Sequence, residues 1–311
     1  MSSYSTTPFW FSITRFSTFG TGLVMAVAVG LGSNAAFATG PNLGSAADFA
    51  ILGLGGTASS HGSVIINSST SINGNVGYGA YTQSGTNQKV DVFNGSALVH
   101  STASFSYTTA TFSPTSGVWI GTGLPGDPVN ITLMDATASA TAAGAAFSSL
   151  TPTLTLGAVN GNTVVNSTGD LNIISISSLS FNSNTLTLHS RPGFTDTFVF
   201  NISGNFAFAQ STVLLQGTDA GHVLYNFTGT NSNILINKAT TVFNGTVLAP
   251  LIGQSVIYHN PATFNGAIIA YNIDVHSDFN LNHVGYVPAP GSASLLGLAG
   301  VAAARRRRRA T

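Results

Sequence analysis

The sequence predicts a mostly β protein of short strands and tight turns, and three observations carry that reading. Only 6% of the 311 residues are charged, against about 25% in an ordinary soluble domain, and glutamate is absent. Ser, Thr, Asn and Gly fill the places of Lys and Glu. These residues disfavour helix interiors and suit turns and extended segments. The third observation is a repeat: VFNGTVLAP at 242–250 matches TFNGAIIAY at 263–271, an offset of 21 residues, with VFNGSALV at 92–99 a fainter copy. A hydrophobic content of 43% is enough for a packed core and argues against disorder.

The N-terminal segment reads as an export signal. Arg15 precedes the apolar run TGLVMAVAVGLG, and Ala36-Phe37-Ala38 places small residues at the two positions a signal peptidase reads. Cleavage is expected after Ala38, which makes residues 1–38 the signal peptide and 39–286 the body. Within the body, alternating apolar residues broken by Gly, Ser and Asn mark strands, as in SVIIN, LNIISISSLSFNSNTLTLHS and TDTFVFNISGNFAFAQSTVLLQG. One segment departs from the pattern. DATASATAAGAAFSSL, residues 135–150, is alanine-rich and opens on Asp135, so it predicts a helix capped by that residue. In the repeat pair the Asn-Gly steps suit corners with positive φ. A period near 20 residues is what stacked β-solenoid coils would give, although a β-hairpin would also produce one such pair.

At the other end, Val287-Pro288-Ala289-Pro290 is followed by 14 small and apolar residues, Gly291 to Ala304, and then by Arg305, Arg306, Arg307, Arg308 and Arg309. As a helix the apolar run would extend about 21 Å, short of a hydrocarbon core of about 30 Å. The arginines behind it read as a stop-transfer flag that holds the tail on the cytoplasmic side. Between Arg15 and Arg305 only Lys89, Arg191 and Lys238 stand against nine aspartates, a net charge of −6. An acidic body argues against nucleic-acid binding, which needs cations to neutralise phosphate.

Three resemblances follow from these motifs. Motif, span and basic end together resemble the PEP-CTERM sorting signal, with Ala289 where that family usually has Glu. The resemblance implies an exosortase-type processing enzyme as partner, besides the translocon and signal peptidase. The body, over roughly residues 42–285, resembles the ice-binding-protein-like family of secreted microbial adhesins and antifreeze proteins. The matching pieces are LGSAADFAILG, INGNVG, the alanine-rich helix, DTFVFNISGNFAFAQSTVLLQG with HVLYNFTG, and the FNG pair. That resemblance implies a discontinuous right-handed β-solenoid with one helix packed alongside, to which the tail adds a short hydrophobic helix. The choice-of-anchor A domain is similar in VLYNF, VLAP and NGAIIA.

Catalytic chemistry finds little support. The chain has no cysteine, so neither disulfides nor thiolate metal sites form. No Gly-x-Ser-x-Gly elbow, His-Glu-x-x-His or phosphate loop occurs, and no Asp pair stands at an acid/base spacing. No catalytic, cofactor-binding or metal-ligating residue is therefore assigned. His259, His276 and His283 gather near Asp274 and Asp278, but they read as surface-loop histidines and turn aspartates. Ice binding would need a flat face of regularly spaced hydroxyl and methyl groups. The candidates are Thr153 with Thr155 and Thr185 with Thr187, none of which recurs at the 21-residue offset. The sequence is thus read as an exported, non-enzymatic surface or matrix protein, held transiently in the inner membrane by its tail. Its expected contacts are exopolysaccharide or another surface, and the alternative is an ice-binding protein. A polysaccharide-active enzyme is least favoured, since it lacks a carboxylate pair.

Overall fold

Phe243 and Asn244 lie in register with Phe264 and Asn265, and Val247, Leu248 and Ala249 with Ile268, Ile269 and Ala270. The 21-residue offset is therefore a parallel stacking of coils and not a hairpin. The structure, a computed structural model, describes residues 41–54, 64–66, 70–79, 83–85, 90–101, 104–106, 112–230, 233–259, 263–275 and 279–289. All of them belong to one unit of the chain, Phe37–Thr311. Ala36, Ala38, Pro290, the expected hydrophobic helix at 291–304 and Arg305–Arg309 lie outside the described residues.

Every strand pairing among the described residues is parallel. A full coil contributes one strand to each of three stacks. The first stack runs Val118–Ile120, Ala97–Val99, Asn75–Tyr78, Phe49–Gly53, Ile268–Ala270, Thr246–Ala249, Val223–Phe227, Thr197–Ile202 and the first half of Leu171–Asn182. That long strand turns a corner, because its second half pairs with Phe206–Ala209 and opens the second stack. The second stack continues through Asn233–Asn237, Ser255–His259 and Asn272–Val275 to Val64–Ile66. The third runs Thr163–Asn166, Thr185–His189, Thr212–Gln216, Val242–Asn244, Thr263–Gly266, Asn280–His283, Thr70–Asn73, Val90–Phe93 and Phe112–Pro114.

Sequence order breaks at one level of all three stacks. Phe49–Gly53 pairs with Ile268–Ala270, Val64–Ile66 with Asn272–Val275, and Thr70–Asn73 with Asn280–His283. The first coils of the chain thus continue a stack completed by its last coils, and the two halves meet at a seam. The solenoid is discontinuous. Its interior is filled by alternate residues of each strand, with aromatic rings stacked coil upon coil. Phe208 meets Phe243 at 5.4 Å between ring centres, Phe243 meets Phe264 at 5.0 Å, and Phe264 meets Phe279 at 6.1 Å. Each such fully buried ring stabilises the fold by about 1.5–3 kcal/mol relative to exposure.

The helix lies over the first stack, but it spans Pro128–Ser148 and not 135–150. Asp135 sits within it, and the cap is Asp127, followed by Pro128 at the first helical position. There the fixed φ of proline is preorganised for helix and its missing N–H costs nothing. Asp127 Oδ1 accepts from the amides of Val129 and Asn130 at 2.9 and 3.0 Å, and Oδ2 accepts from the amide and hydroxyl of Thr122 at 2.7 Å each. The Thr122 hydrogen bonds, with those of Asn130 and Val129, outweigh desolvation and hold this carboxyl at about 2. Ala136, Ala140, Ala143 and Phe147 face the sheet, where they pack with Val199, Leu224, Leu248 and Ile269. At the far end, buried Asn201 and Asn226 donate to the carbonyls of Phe147 and Gly144 at 2.9 and 3.1 Å. No helix among the described residues is long and apolar enough to cross a membrane.

One corner concentrates charge. Arg191 pairs with Asp170 and, at 2.6 Å, with buried Asp196, and its guanidinium lies 4.6 Å from the ring centre of Phe194. Burial raises the Asp196 pKa, but hydrogen bonds from the Arg191 side chain and amide and from Ser167 prevail and hold it at about 2, against 3.8 when free. A carboxylate with a depressed pKa stabilises the fold fully above its free pKa and loses that contribution as pH falls through the folded one. Urea unfolding measured from pH 7 to pH 2 should therefore show stability declining below about pH 4. Asp196→Asn should flatten part of that decline while lowering stability at pH 7. For the cap, Asp127→Ala should lower Tm by roughly 2–4 °C, read by circular dichroism, and Asp135→Ala should leave it nearly unchanged.

Candidate functional site

The helix covers the first stack, and among the described residues it packs on neither the second nor the third; the third carries Thr185 and Thr187. Along Thr185–His189 the even positions Leu186 and Leu188 are buried, so Thr185, Thr187 and His189 point outward. The same alternation holds in Thr263–Gly266 and Asn280–His283, where Phe264 and Leu281 point in. Register then assembles a row across six strands: Thr185, Thr212, Val242, Thr263, Asn280 and Ser71. Neighbouring members are about 4.8 Å apart, the spacing of adjacent strands. Each carries a hydroxyl, a methyl or an amide, and none carries a charge.

A second row lies two residues on. It begins with Thr187 and Leu214, paired in register, and continues with Asn244, Asn265, Asn282 and Asn73. From Thr185–His189 to Thr70–Asn73 no outward residue of this face is Asp, Lys or Arg. A sheet presenting such rows can order water by short hydroxyl and amide contacts without the tightly held hydration shells of ions.

The four threonines expected from sequence do not form one site. Thr185 and Thr187 stand side by side on this face. Thr153 and Thr155 lie at another sheet: Thr155, in Leu154–Val159, pairs with Ser175, and the hydroxyl of Thr153, just before that strand, donates to the Ile173 carbonyl at 3.1 Å. The Thr153 hydroxyl already bonds backbone, donating to the Ile173 carbonyl and accepting from the Ile173 amide. Sequence reading missed Thr212 and Thr263. The intervals along the row are 27, 30, 21 and 17 residues from Thr185 through Asn280, because the corners differ in length while the register is kept. A search at one fixed period finds only the Val242–Thr263 step.

The histidine and aspartate group is also divided. His283 Nε2 bonds the Ala47 carbonyl at 3.1 Å, and burial lowers its pKa. Asp274 lies on the second stack, in Asn272–Val275, whereas His276 and Asp278 lie outside the described residues. Among the described residues no group of three or more His, Asp or Glu is placed to hold a metal ion. The segment expected as a sorting motif starts against the body: the Val287 amide donates to the Gly221 carbonyl at 2.7 Å, and Ala289 is 5% exposed.

Comparison with known proteins agrees with this fold. The fold is similar to that of an ice-binding protein from an Antarctic biological consortium, with a TM-score of 0.53, 19% identity, and coverage of 80% of this chain and 92% of that one. It is similar to a glycosylated ice-binding protein, LeIBP, from an Arctic yeast, at TM-score 0.53 and 16% identity over 81% of this chain and 96% of that one. The third is ice-binding protein 1 of Shewanella frigidimarina, at TM-score 0.52 and 16% identity over 79% and 98%. No curated protein matches the sequence. Residues 20–281 match the family model described as "Putative Ice-binding-like adhesive domain". The chain belongs to that ice-binding-like adhesive domain family.

Proposed function

We propose that this protein binds ice through its third face. The observation that carries the reading is the in-register row Thr185–Thr212–Val242–Thr263–Asn280–Ser71, uncharged and repeated at strand spacing. Its methyl and hydroxyl groups suit a surface that orders adjacent water into a lattice-like layer. The solved proteins sharing the fold are ice-binding proteins, which supports the reading. We therefore favour ice binding over a purely structural surface role, a reading that needs no catalytic group. Purified protein should inhibit ice recrystallisation and show thermal hysteresis. Thr212→Lys and Thr263→Lys, which set strongly hydrated ammonium groups on the face, should abolish both effects while leaving Tm nearly unchanged. Thr155→Lys, on the other sheet, should retain them. Absence of activity from folded wild-type protein at high concentration would sink the reading.

A cell-surface setting is the companion reading, favoured by the family's adhesive description and by the two chain ends. In it the chain is exported, cut after Ala38, held briefly in the inner membrane by its C-terminal segment and processed near Pro288 by an exosortase-type enzyme. The working face then meets ice or another surface outside the cell. Mass spectrometry of the mature protein from its host should find a chain beginning at Thr39 and ending near Pro288. An intact arginine tail would refute the processing step.

A further inference from the structure

The seam is where the third face is most exposed to failure. Within either half, neighbouring coils are joined by short corners. At the seam, strands more than 200 residues apart in sequence are held together only by non-covalent contacts, as in the pairing of Asn73 with Asn282. Yet the rows of the third face cross it without a shift. Asn280, Leu281 and Asn282 pair with Ser71, Ile72 and Asn73, and those three continue in register to Asp91, Val92 and Phe93.

Side-chain amides run along this line. Asn94 Nδ2 donates to Asn73 Oδ1 at 3.0 Å, and Asn73 Nδ2 donates across the seam to Asn282 Oδ1 at 3.0 Å. On the other side Asn265, in register with Asn282, donates to Asn244 Oδ1 at 2.8 Å, and Asn244 Nδ2 donates to the Val213 carbonyl at 2.7 Å. A primary amide suits this position because it carries donors and an acceptor in one plane. One N–H and one lone pair can therefore point along the stack while the others face solvent. The corners beneath are packed to match. A Cβ on Gly95 would stand 2.1 Å from the Gly74 carbonyl oxygen, and one on Gly266 would stand 2.0 Å from that of Gly245. Side-chain ladders are among the devices that keep a sheet flat against its intrinsic twist.

We infer that the asparagine ladder is a positioning element of the third face: Asn73 and Asn282 clamp the two halves of the chain in register across the seam, so that one uninterrupted surface is presented. The clamp stands on its own contacts, and its bearing on activity rests on the ice-binding reading. Asn282→Ala and Asn73→Ala remove the rung. Loss of one hydrogen bond at a local opening should speed amide exchange roughly five- to tenfold at Ser71, whose amide donates to the Phe279 carbonyl across the seam, with exchange at Phe198 and Phe200, far from the seam, unchanged. Ice recrystallisation inhibition should fall several-fold in the same variants.

The chain lacks cysteine, which permits a discriminating rescue. In the double variant Asn73→Cys, Asn282→Cys, both amides are gone, yet the in-register pair can be bridged by a disulfide. Oxidised, the variant should recover slow seam exchange and most of the activity; reduced, it should lose both. If amides 73 and 282 acted only by touching ice, the oxidised variant would stay inactive, and the positioning role would be overturned. Unchanged seam exchange in the two alanine variants would overturn the clamp itself. Should folded wild-type protein show no ice activity, only the ice-binding reading falls, and the exchange data still decide the clamp.

Discussion

The fold depends on parallel backbone pairing continuing through a level where the chain itself does not. A solenoid half ending at Asn280–His283 would expose unpaired N–H and C=O groups on three strands, and a half beginning at Phe49–Gly53 would do the same. Open edges of this kind invite pairing with other chains. Here each edge satisfies the other, through Ile51–Ile268, Val64–Ile273 and Ile72–Leu281. The remaining features follow from keeping that junction aligned. Aromatic rings stack through the interior, the helix runs along the first stack, and the outward rows stay in step.

The helix braces the arrangement. Its alanines let it lie close to the sheet, where larger side chains would hold it away. Asn130 near its start donates to the Ser101 hydroxyl at 2.9 Å, in the half of the solenoid built from early residues. Asn201 and Asn226 bind carbonyls near its end, in the half built from later ones. It therefore ties both halves from outside the core, while the ring stack ties coils from within. With only 6% charged residues, little of this rests on ion pairs, and the Arg191 corner stands apart for that reason. A sparsely charged exterior leaves the third face, from Thr185–His189 to Thr70–Asn73, free to present hydroxyl, methyl and amide groups to water.

The fold class was legible because its causes are local. A composition rich in Asn, Ser, Thr and Gly disfavours helix outside the alanine-rich segment, and strand residues alternate. The FNG pair carried true register, with Phe243 over Phe264 and Asn244 over Asn265. The helix was legible in its alanine-rich part and misplaced at its start. Thr132 and the β-branched residues around it weaken the helical pattern there, and the decisive signal was the Asp127-Pro128 step. That Thr185 and Thr187 share one face was also legible, since they stand at alternate positions of one strand.

What the sequence determined by itself is the element type and the inward pattern, because each depends on residues within a few positions of one another. What only the tertiary structure decided is which strands are neighbours. Corner lengths vary between coils, so the partners of Thr185 and Thr212 cannot be counted off at a fixed period. The seam joins Asn73 to Asn282 with no covalent path shorter than the intervening chain. Backbone pairing and core packing choose that register collectively, and they turn scattered threonines and asparagines into one continuous face.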